Sequence, residues 1–162
     1  MTTPRPDGQS WLSEALATRD LERVKPDMAA AGHRINEAAS HVRSARTLAK
    51  DDVTLAMSAC HDAIRKAIAA HMSANGLRAR SGDGAHRIIN NYARHQLENV
   101  ITAADLDDAD SIRRDRILAE YGDFASAKLS AVDVRAAAAT AERIVTAIAK
   151  TLAAQAKPPH RN

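Results

Sequence analysis

A dense group of charged residues near position 115 is the stretch of this sequence best suited to chemistry. Arg113, Arg114 and Arg116 stand close together, and Glu120 and Tyr121 follow in the next helical turn. Burying an unpaired guanidinium costs a great deal of free energy, so these arginines must meet acids, solvent or an anion. At about 100° per residue, Arg113, Arg116 and Glu120 share one helix face. The arrangement predicts either a phosphate site or a ladder of salt bridges within the helix.

A second basic region lies near the middle of the chain. From Leu77 to Gly84 the sequence is polar and rich in glycine, which predicts a loop that carries Arg78 and Arg80 toward a helix containing His86. Guanidinium groups match phosphate oxygens better than ammonium groups do. Aromatic platforms for base stacking are scarce, so a site that reads a nucleic-acid backbone is favoured over one that reads bases.

Other kinds of site have little support in the sequence. No two histidines stand three or four positions apart and no Glu-x-x-His occurs, so a metal site on one helix is not expected. His61 precedes Asp62, but adjacent residues of a helix are expected to point apart. Cys60 falls on an apolar stripe, where burial makes a thiol inert. The predictions are therefore no metal and no cofactor.

The composition indicates a helical protein. The 162 residues are enough for one domain with its own core, many of the apolar residues are alanine, and aromatic residues make up only 2%. Alanine suits close helix packing better than it suits sheets. The net charge of +3 permits an anionic partner without requiring one. A single cysteine, no long apolar run and no apolar signal segment predict a cytoplasmic protein without membrane contact.

Apolar residues recur every three or four positions and predict six helices. The expected helices are a short one around Trp11, then about 26–50, 53–75 and 85–103, a fifth that runs to 122 after the acidic run Asp105–Asp110, and a last one launched by a capping box at Ser130-Ala-Val-Asp133. The third is apolar on two sides and is expected to be central. The acidic run before the fifth is interpreted as a connector, and Trp11 as the anchor of its helix.

The predicted fold is an all-α, up-and-down bundle of four principal helices, with a short N-terminal helix and one extra helix. Residues 9–156 are expected to form a single domain between flexible tails at 1–8 and 157–162. The richness in alanine and arginine is typical of a GC-rich bacterial genome.

The order and spacing of these segments resemble a HEPN domain, a small helical bundle named for its spread among higher eukaryotes and prokaryotes. The resemblance runs from His61-Asp62-Ala63-Ile64-Arg65-Lys66-Ala67 through Asn75-Gly76-Leu77-Arg78 and Gly84-Ala85-His86 to Arg116…Tyr121 and the last helix. A helix with Trp11…Arg19-Asp20-Leu21-Glu22 is similar to the N-terminal helix of stand-alone actinobacterial members. The resemblance covers nearly the whole chain.

The resemblance implies a two-fold homodimer. Many HEPN proteins are metal-independent endoribonucleases of toxin–antitoxin or defence systems, with an Arg-x4-6-His motif whose arginine engages the scissile phosphate and whose histidine supports attack by the ribose 2′-hydroxyl. Carried over, Arg116 takes the arginine position and Tyr121 the histidine position. The sequence departs twice, because Ile117 stands where a polar residue is usual and a phenol, with a pKa near about 10, is a poor general base at neutral pH.

Three interpretations follow. In the first, the chain binds RNA and cuts it, with Arg113, Arg114, Arg78, Arg80 and His86 contacting phosphates beside Arg116 and Tyr121. In the second, which Ile117 and Tyr121 favour, it is a non-catalytic HEPN module that serves as a dimerising adaptor or as the nucleotide-binding partner of a nucleotidyltransferase. In the third, Arg113 and Arg116 pair with Glu120 and Asp123 while Tyr121 packs, and only a bundle remains.

Overall fold

A computed structural model describes residues 7–82, 84–121 and 129–157. These residues form six helices and two short strands, and the all-α prediction is confirmed. In chain order the elements are α1 (Gly8–Ala17), β1 (Leu21–Arg23), α2 (Met28–Leu48), α3 (Val53–Ala74), β2 (Leu77–Ala79), α4 (Ala85–Gln96), α5 (Ala103–Tyr121) and α6 (Ala131–Gln155). Helix α1 begins inside the predicted tail 1–8; residues 1–6 and 158–162 of the two tails lie outside the described residues.

Side-chain caps fix the starts of the long helices. Asp27 accepts a hydrogen bond from the backbone N–H of Ala30 at 2.8 Å at the start of α2, and Asp52 caps α3 in the same way. At α6 the backbone N–H of Ser130 donates to Asp133, and Ser130 Oγ accepts from the backbone N–H of Asp133. Each cap satisfies an amide that the first helical turn leaves without a partner. The predicted capping box is confirmed.

Helix α3 lies at the centre of the bundle, as its two apolar sides predict. It packs against α2, α5 and α6, and it also contacts α4 and β2. Ala63, Ala67 and Ala70 are completely buried, and such small side chains let neighbouring helix axes approach closely. Helix α3 therefore supplies the frame on which the other helices present their polar residues.

The structure contains a two-stranded antiparallel ribbon that is not expected from the sequence. It pairs the segment that follows α1 with the segment that follows α3. Leu21 of β1 lies opposite Ala79 of β2, and Arg23 lies opposite Leu77. Leu21 and Leu77 are buried, so the ribbon covers one end of the core. The prediction of a loop from Leu77 onward is therefore wrong for its first three residues, which pair as a strand.

The N-terminal helix is shorter than the resemblance suggests. It ends at Ala17, and Arg19 adopts a left-handed backbone conformation with φ of 61° that turns the chain into β1. Trp11 anchors this helix, as predicted. Its indole stacks on His95 of α4 with ring centroids 5.1 Å apart, and it meets the buried ring of Tyr92 edge-on at 6.4 Å.

The boundary between α4 and α5 also differs from the prediction. Helix α4 ends at Gln96, and α5 begins after Thr102, whose hydroxyl oxygen accepts a hydrogen bond from the backbone N–H of Asp105 at 3.1 Å. The acidic run is not a connector but the first half of α5. Its acids are stabilised there by ion pairs with Arg94 of α4 and Arg143 of α6.

Candidate functional site

Helix α5 carries four of the predicted site residues, which are Arg113, Arg114, Arg116 and Tyr121. Arg113 and Arg116 are partly exposed, whereas Arg114 is exposed and donates a hydrogen bond from Nη2 to Ser111 Oγ at 2.9 Å. Tyr121 is the last residue of the helix, and 77% of its surface is exposed. The interpretation in which Tyr121 packs is therefore wrong.

Arg116 is engaged by an acid through one terminal nitrogen. Its Nη2 lies 3.0 Å from Oε2 of Glu120, one turn along the helix, and the two side chains are 30% and 36% exposed. The Nε atoms of Arg116 and Arg113 are buried and have no hydrogen-bond partner. Asp123, the other acid of the proposed salt-bridge ladder, lies outside the described residues. The pair Arg116–Glu120 is present, yet it leaves guanidinium donors unused.

The first turn of α4 places His86 near Arg116. The imidazole of His86 is exposed, and its pKa lies below the usual value because of partial burial and the positive charges of His61, Arg65 and Arg116, against an opposing effect of Asp62. These groups therefore act electrostatically on the ring of His86. The fold therefore supplies an imidazole beside the motif arginine, although the motif itself lacks one.

His61 of α3 lies at the same place. Its ring centroid is 5.8 Å from that of His86, with the two ring planes tilted by 44°. The Nδ1 atom of His61 lies 3.8 Å from Oδ1 of Asp62, a contact longer than a hydrogen bond. The imidazole is 10% exposed and the carboxylate 41% exposed, so these neighbours face different surroundings, as expected, while their polar atoms remain close enough to interact.

The carboxylate of Asp62 is the negative charge beside this ring. Interaction with His61 lowers the pKa of Asp62 to about 2, and Arg65, whose Nε lies 3.5 Å from Oδ1, contributes in the same direction against partial burial. Asp62 is therefore ionised at neutral pH. It provides the counter-charge for His61 and Arg65.

These side chains form one polar cluster between α3, α4 and α5. The polar cluster consists of His61, Asp62, Arg65, His86, Arg116 and Glu120, and Arg113 lies about one turn before Arg116 on α5. In the part of the chain that the structure describes, the buried side-chain nitrogens without a hydrogen-bond partner are Nδ1 of His61 and the Nε atoms of Arg65, Arg113 and Arg116. Arginine Nε always carries a hydrogen, and a buried donor without an acceptor costs about 1–3 kcal/mol. The cluster therefore concentrates positive charge from α3 and α5, and the partly exposed guanidinium of Arg116 makes that charge available to an anion.

Arg78 of β2 and Arg80, which follows it, do not lie beside Arg116 as predicted. Arg78 pairs with Glu22 across the ribbon at 2.6 Å. Arg80 lines an open cavity of about 330 Å³ together with Arg87 of α4. None of the residues that line this cavity belongs to the polar cluster. The structure therefore gives Arg80 a cavity of its own beside Arg87 and engages Arg78 with an acid.

His61 and Arg65 are not among the site residues predicted from the sequence. The available signal was their spacing of four positions, which places them on one face of α3, inside a segment that also carries the resemblance to HEPN domains. Nothing in the sequence pairs that face with α4 or α5. Only the packing of the three helices brings the groups together.

Other chemistries receive no support from the structure. Residues 7–82, 84–121 and 129–157 contain no group of three or more His, Cys, Asp or Glu side chains that could hold a metal ion. Burial raises the pKa of the Cys60 thiol to about 11, so this thiol stays protonated at neutral pH. In the same described ranges, no helix has the length and apolar character that crossing a bilayer requires.

Comparison with protein-family models gives a match to the HEPN domain over residues 31–152, from α2 to the last turns of α6. Searches of curated proteins and of solved structures gave no match. The matched range is most of the chain and includes the whole polar cluster. By the extent of this match, the chain belongs to the HEPN domain family.

Proposed function

We propose that this HEPN chain binds RNA through its phosphodiester backbone at the polar cluster and cuts it without a metal ion. The observation that carries the proposal is the grouping of Arg65 and Arg116 around His86, whose pKa both arginines lower, with the side chain of Arg116 still 30% exposed. Phosphate oxygens are the acceptors that a guanidinium fork matches best. In this proposal Arg116 of α5 and Arg65 of α3 approach one phosphate from two helices, and Arg113 lies about one turn before Arg116 on the same face of α5.

Contacts to the backbone rather than to bases fit the exposed side chains. Trp11 and Tyr92 are buried, and Tyr121 is the exposed aromatic residue in the described ranges. A single platform stacks few bases, so sequence preference from stacking would be weak. The hydroxyl of Tyr121 is free to donate to a phosphate oxygen one turn beyond Arg116. Arg80 and Arg87 extend the positively charged surface along the strand of RNA.

A second copy of the chain fits the C-terminal end of α5. Ile117, Leu118 and Tyr121 are 40%, 43% and 77% exposed and adjoin Arg116 in the sequence. Exposed apolar residues grouped on one helix favour contact with a partner. In a two-fold dimer through this face, the two polar clusters would border one shared groove. We place such a dimer in a bacterial toxin–antitoxin or defence system in the cytoplasm.

Equilibrium binding of a fluorescein-labelled single-stranded RNA tests the proposal. We expect Arg116→Ala to weaken binding by at least about tenfold and to reduce the salt slope by about one, as for the loss of one phosphate contact. Arg43→Ala is the matched control, because Arg43 is an exposed arginine on α2 that lies outside the polar cluster. Equal weakening by the two variants would contradict the proposal.

One observation favours a second function. The exposure of Tyr121, Ile117 and Leu118 suits a non-catalytic module that docks a nucleotidyltransferase or binds its nucleotide. In that case RNA binding would be absent, and co-purification from the host would recover a nucleotidyltransferase with the wild-type chain but not with Ile117→Asp. This result, combined with no RNA binding, would replace the first proposal by the second.

A further inference from the structure

The motif position that other HEPN endoribonucleases fill with histidine holds Tyr121 in this chain. An ordinary phenol is protonated at neutral pH and removes protons poorly. The polar cluster, however, contains two imidazoles that belong to other helices, His61 of α3 and His86 of α4. The inference drawn from this pair rests on the proposed function, since it concerns how bound RNA is cut.

We propose that His86 and His61 are the proton-transfer pair of this chain, with His86 removing the proton of the ribose 2′-hydroxyl and His61 donating a proton to the 5′-oxygen that leaves. A bond forms between O2′ and phosphorus while the bond from phosphorus to O5′ breaks. The products are a 2′,3′-cyclic phosphate and a 5′-hydroxyl. The proton lost by His61 and the proton gained by His86 exchange with water, so the cycle needs no other reactant.

The geometry of the two rings carries the proposal. Their centroids are 5.8 Å apart and their planes are tilted by 44°, so the rings stand side by side without stacking. One phosphodiester can then meet both, each nitrogen within about 2.6–3.2 Å of its own oxygen. The guanidinium of Arg116 acts electrostatically on His86, and its partly exposed side chain can bind a non-bridging oxygen of the same phosphate.

The surroundings assign the two roles. The groups that face His86 are His61, Asp62 and Arg65 from α3 and Arg116 from α5. Burial and the three cationic neighbours lower the pKa of His86, so the ring is neutral at pH 7 and able to accept a proton. His61 instead has the carboxylate of Asp62 3.8 Å from its Nδ1, which assigns it the donor role through its other ring nitrogen.

The first experiment measures cleavage of a single-stranded RNA in EDTA. We expect wild-type protein to yield a 2′,3′-cyclic phosphate and to spare a 2′-O-methyl RNA of the same sequence. His86→Gln and His61→Gln should each lower the cleavage rate by about 100-fold or more. RNA affinity should change by less than the Arg116→Ala variant changes it. His33→Gln is the matched control, since His33 is an exposed histidine of α2.

A second substrate separates the two roles. When sulfur replaces the bridging 5′-oxygen, the leaving thiolate needs no proton. This RNA should restore the rate of His61→Gln to that of wild type but leave His86→Gln slow. His61 is nine-tenths buried, and its substitution can disturb folding. The same substrate is therefore also given to wild-type protein. Its pH–rate profile should lose the descending limb that it shows with the oxygen-containing RNA.

Each outcome decides between the proposals. If Arg116-dependent RNA binding is present but wild-type protein does not cut, or if both histidine variants cut at the rate of His33→Gln, the proton-transfer pair is wrong and the binding function stands. If the sulfur-containing substrate restores neither variant and leaves the wild-type profile unchanged, the roles given to His61 and His86 are wrong. If RNA binding does not depend on Arg116, the proposed function itself fails.

Discussion

Nη2 of Arg116 lies 3.0 Å from Oε2 of Glu120, while Nε of the same guanidinium is buried without a partner. The acid therefore orients Arg116 through one terminal nitrogen, and the side chain as a whole remains 30% exposed to an incoming anion. A pair this exposed contributes little to stability, typically about 0–1 kcal/mol, so its effect on a ligand can outweigh its effect on the fold.

Removing this acid should strengthen RNA binding. Glu120→Gln keeps the shape of the side chain but removes a negative charge beside the site, so we expect affinity to rise by about two- to fivefold. Glu98→Gln is the control, because Glu98 is exposed and its substitution changes the net charge by the same amount. Titrations at one salt concentration check the prediction. Equal gains in both variants would mean that only overall charge matters.

The apolar end of α5 predicts a dimer. Ile117→Asp places a charge on the exposed face that adjoins Arg116, and we expect it to convert the protein to a monomer in light scattering after size-exclusion chromatography. Met28→Asp is the control, because Met28 of α2 is exposed to a similar degree, 38% against 40% for Ile117. A wild-type monomer, or a dimer that survives Ile117→Asp, would contradict a shared groove at this face.

Acid should destabilise the fold through His71. Burial lowers the pKa of His71 below its usual value of 6.5, and its Nδ1 lies 2.9 Å from the hydroxyl oxygen of Tyr92 in the core. The unfolded chain then binds the proton more readily, so the stabilisation is complete above about pH 6.5 and is lost as the pH falls toward the folded-state pKa.

Urea denaturation at several pH values measures this loss. His71→Gln removes the titrating ring, so its free energy of unfolding should vary less with pH below about 6.5 than that of wild type. His86→Gln is measured alongside, because the pKa of His86 is also lowered. Curves for wild type and His71→Gln that run parallel would show that His71 is not responsible.

The docking of α1 depends on one side chain. Trp11 is 8% exposed and stacks on His95, so Trp11→Ala should lower the free energy of unfolding by about 3–5 kcal/mol, or release α1 before the rest of the chain unfolds. Trp11→Phe keeps an aromatic ring and should cost less. Circular dichroism during thermal unfolding measures both. A loss below about 1 kcal/mol for Trp11→Ala would refute the anchor.

Local patterns were sufficient to predict most of the helices. The alanine-rich periodicity around Ala63 indicates a central helix, and Ser130 with Asp133 marks the start of α6, because both signals act within a few residues. The ribbon was not predictable, since three-residue strands such as Leu21–Arg23 carry no period of their own. The start of α5 was missed because its acids are stabilised by arginines of other helices.

The candidate site, like the fold, was predictable from the sequence only in part. Arg113, Arg116 and Glu120 fall on one face by helical spacing alone, and the structure brings Arg116 and Glu120 into contact. His61 could not be found in this manner, because its proximity to His86 comes from the packing of α3 against α4. Local spacing therefore predicts the part of the site that lies on α5, but it does not predict the part that α3 and α4 contribute.

The most direct test of the central claim is a coupling measurement between Arg116 and one phosphate of the RNA. Each phosphate in turn is replaced by an uncharged methylphosphonate, and the affinities of wild type and Arg116→Ala are compared in a double-mutant cycle. The account predicts one position at which neutralising the phosphate weakens wild type and barely affects Arg116→Ala. Additive losses at every position would mean that Arg116 does not contact the backbone.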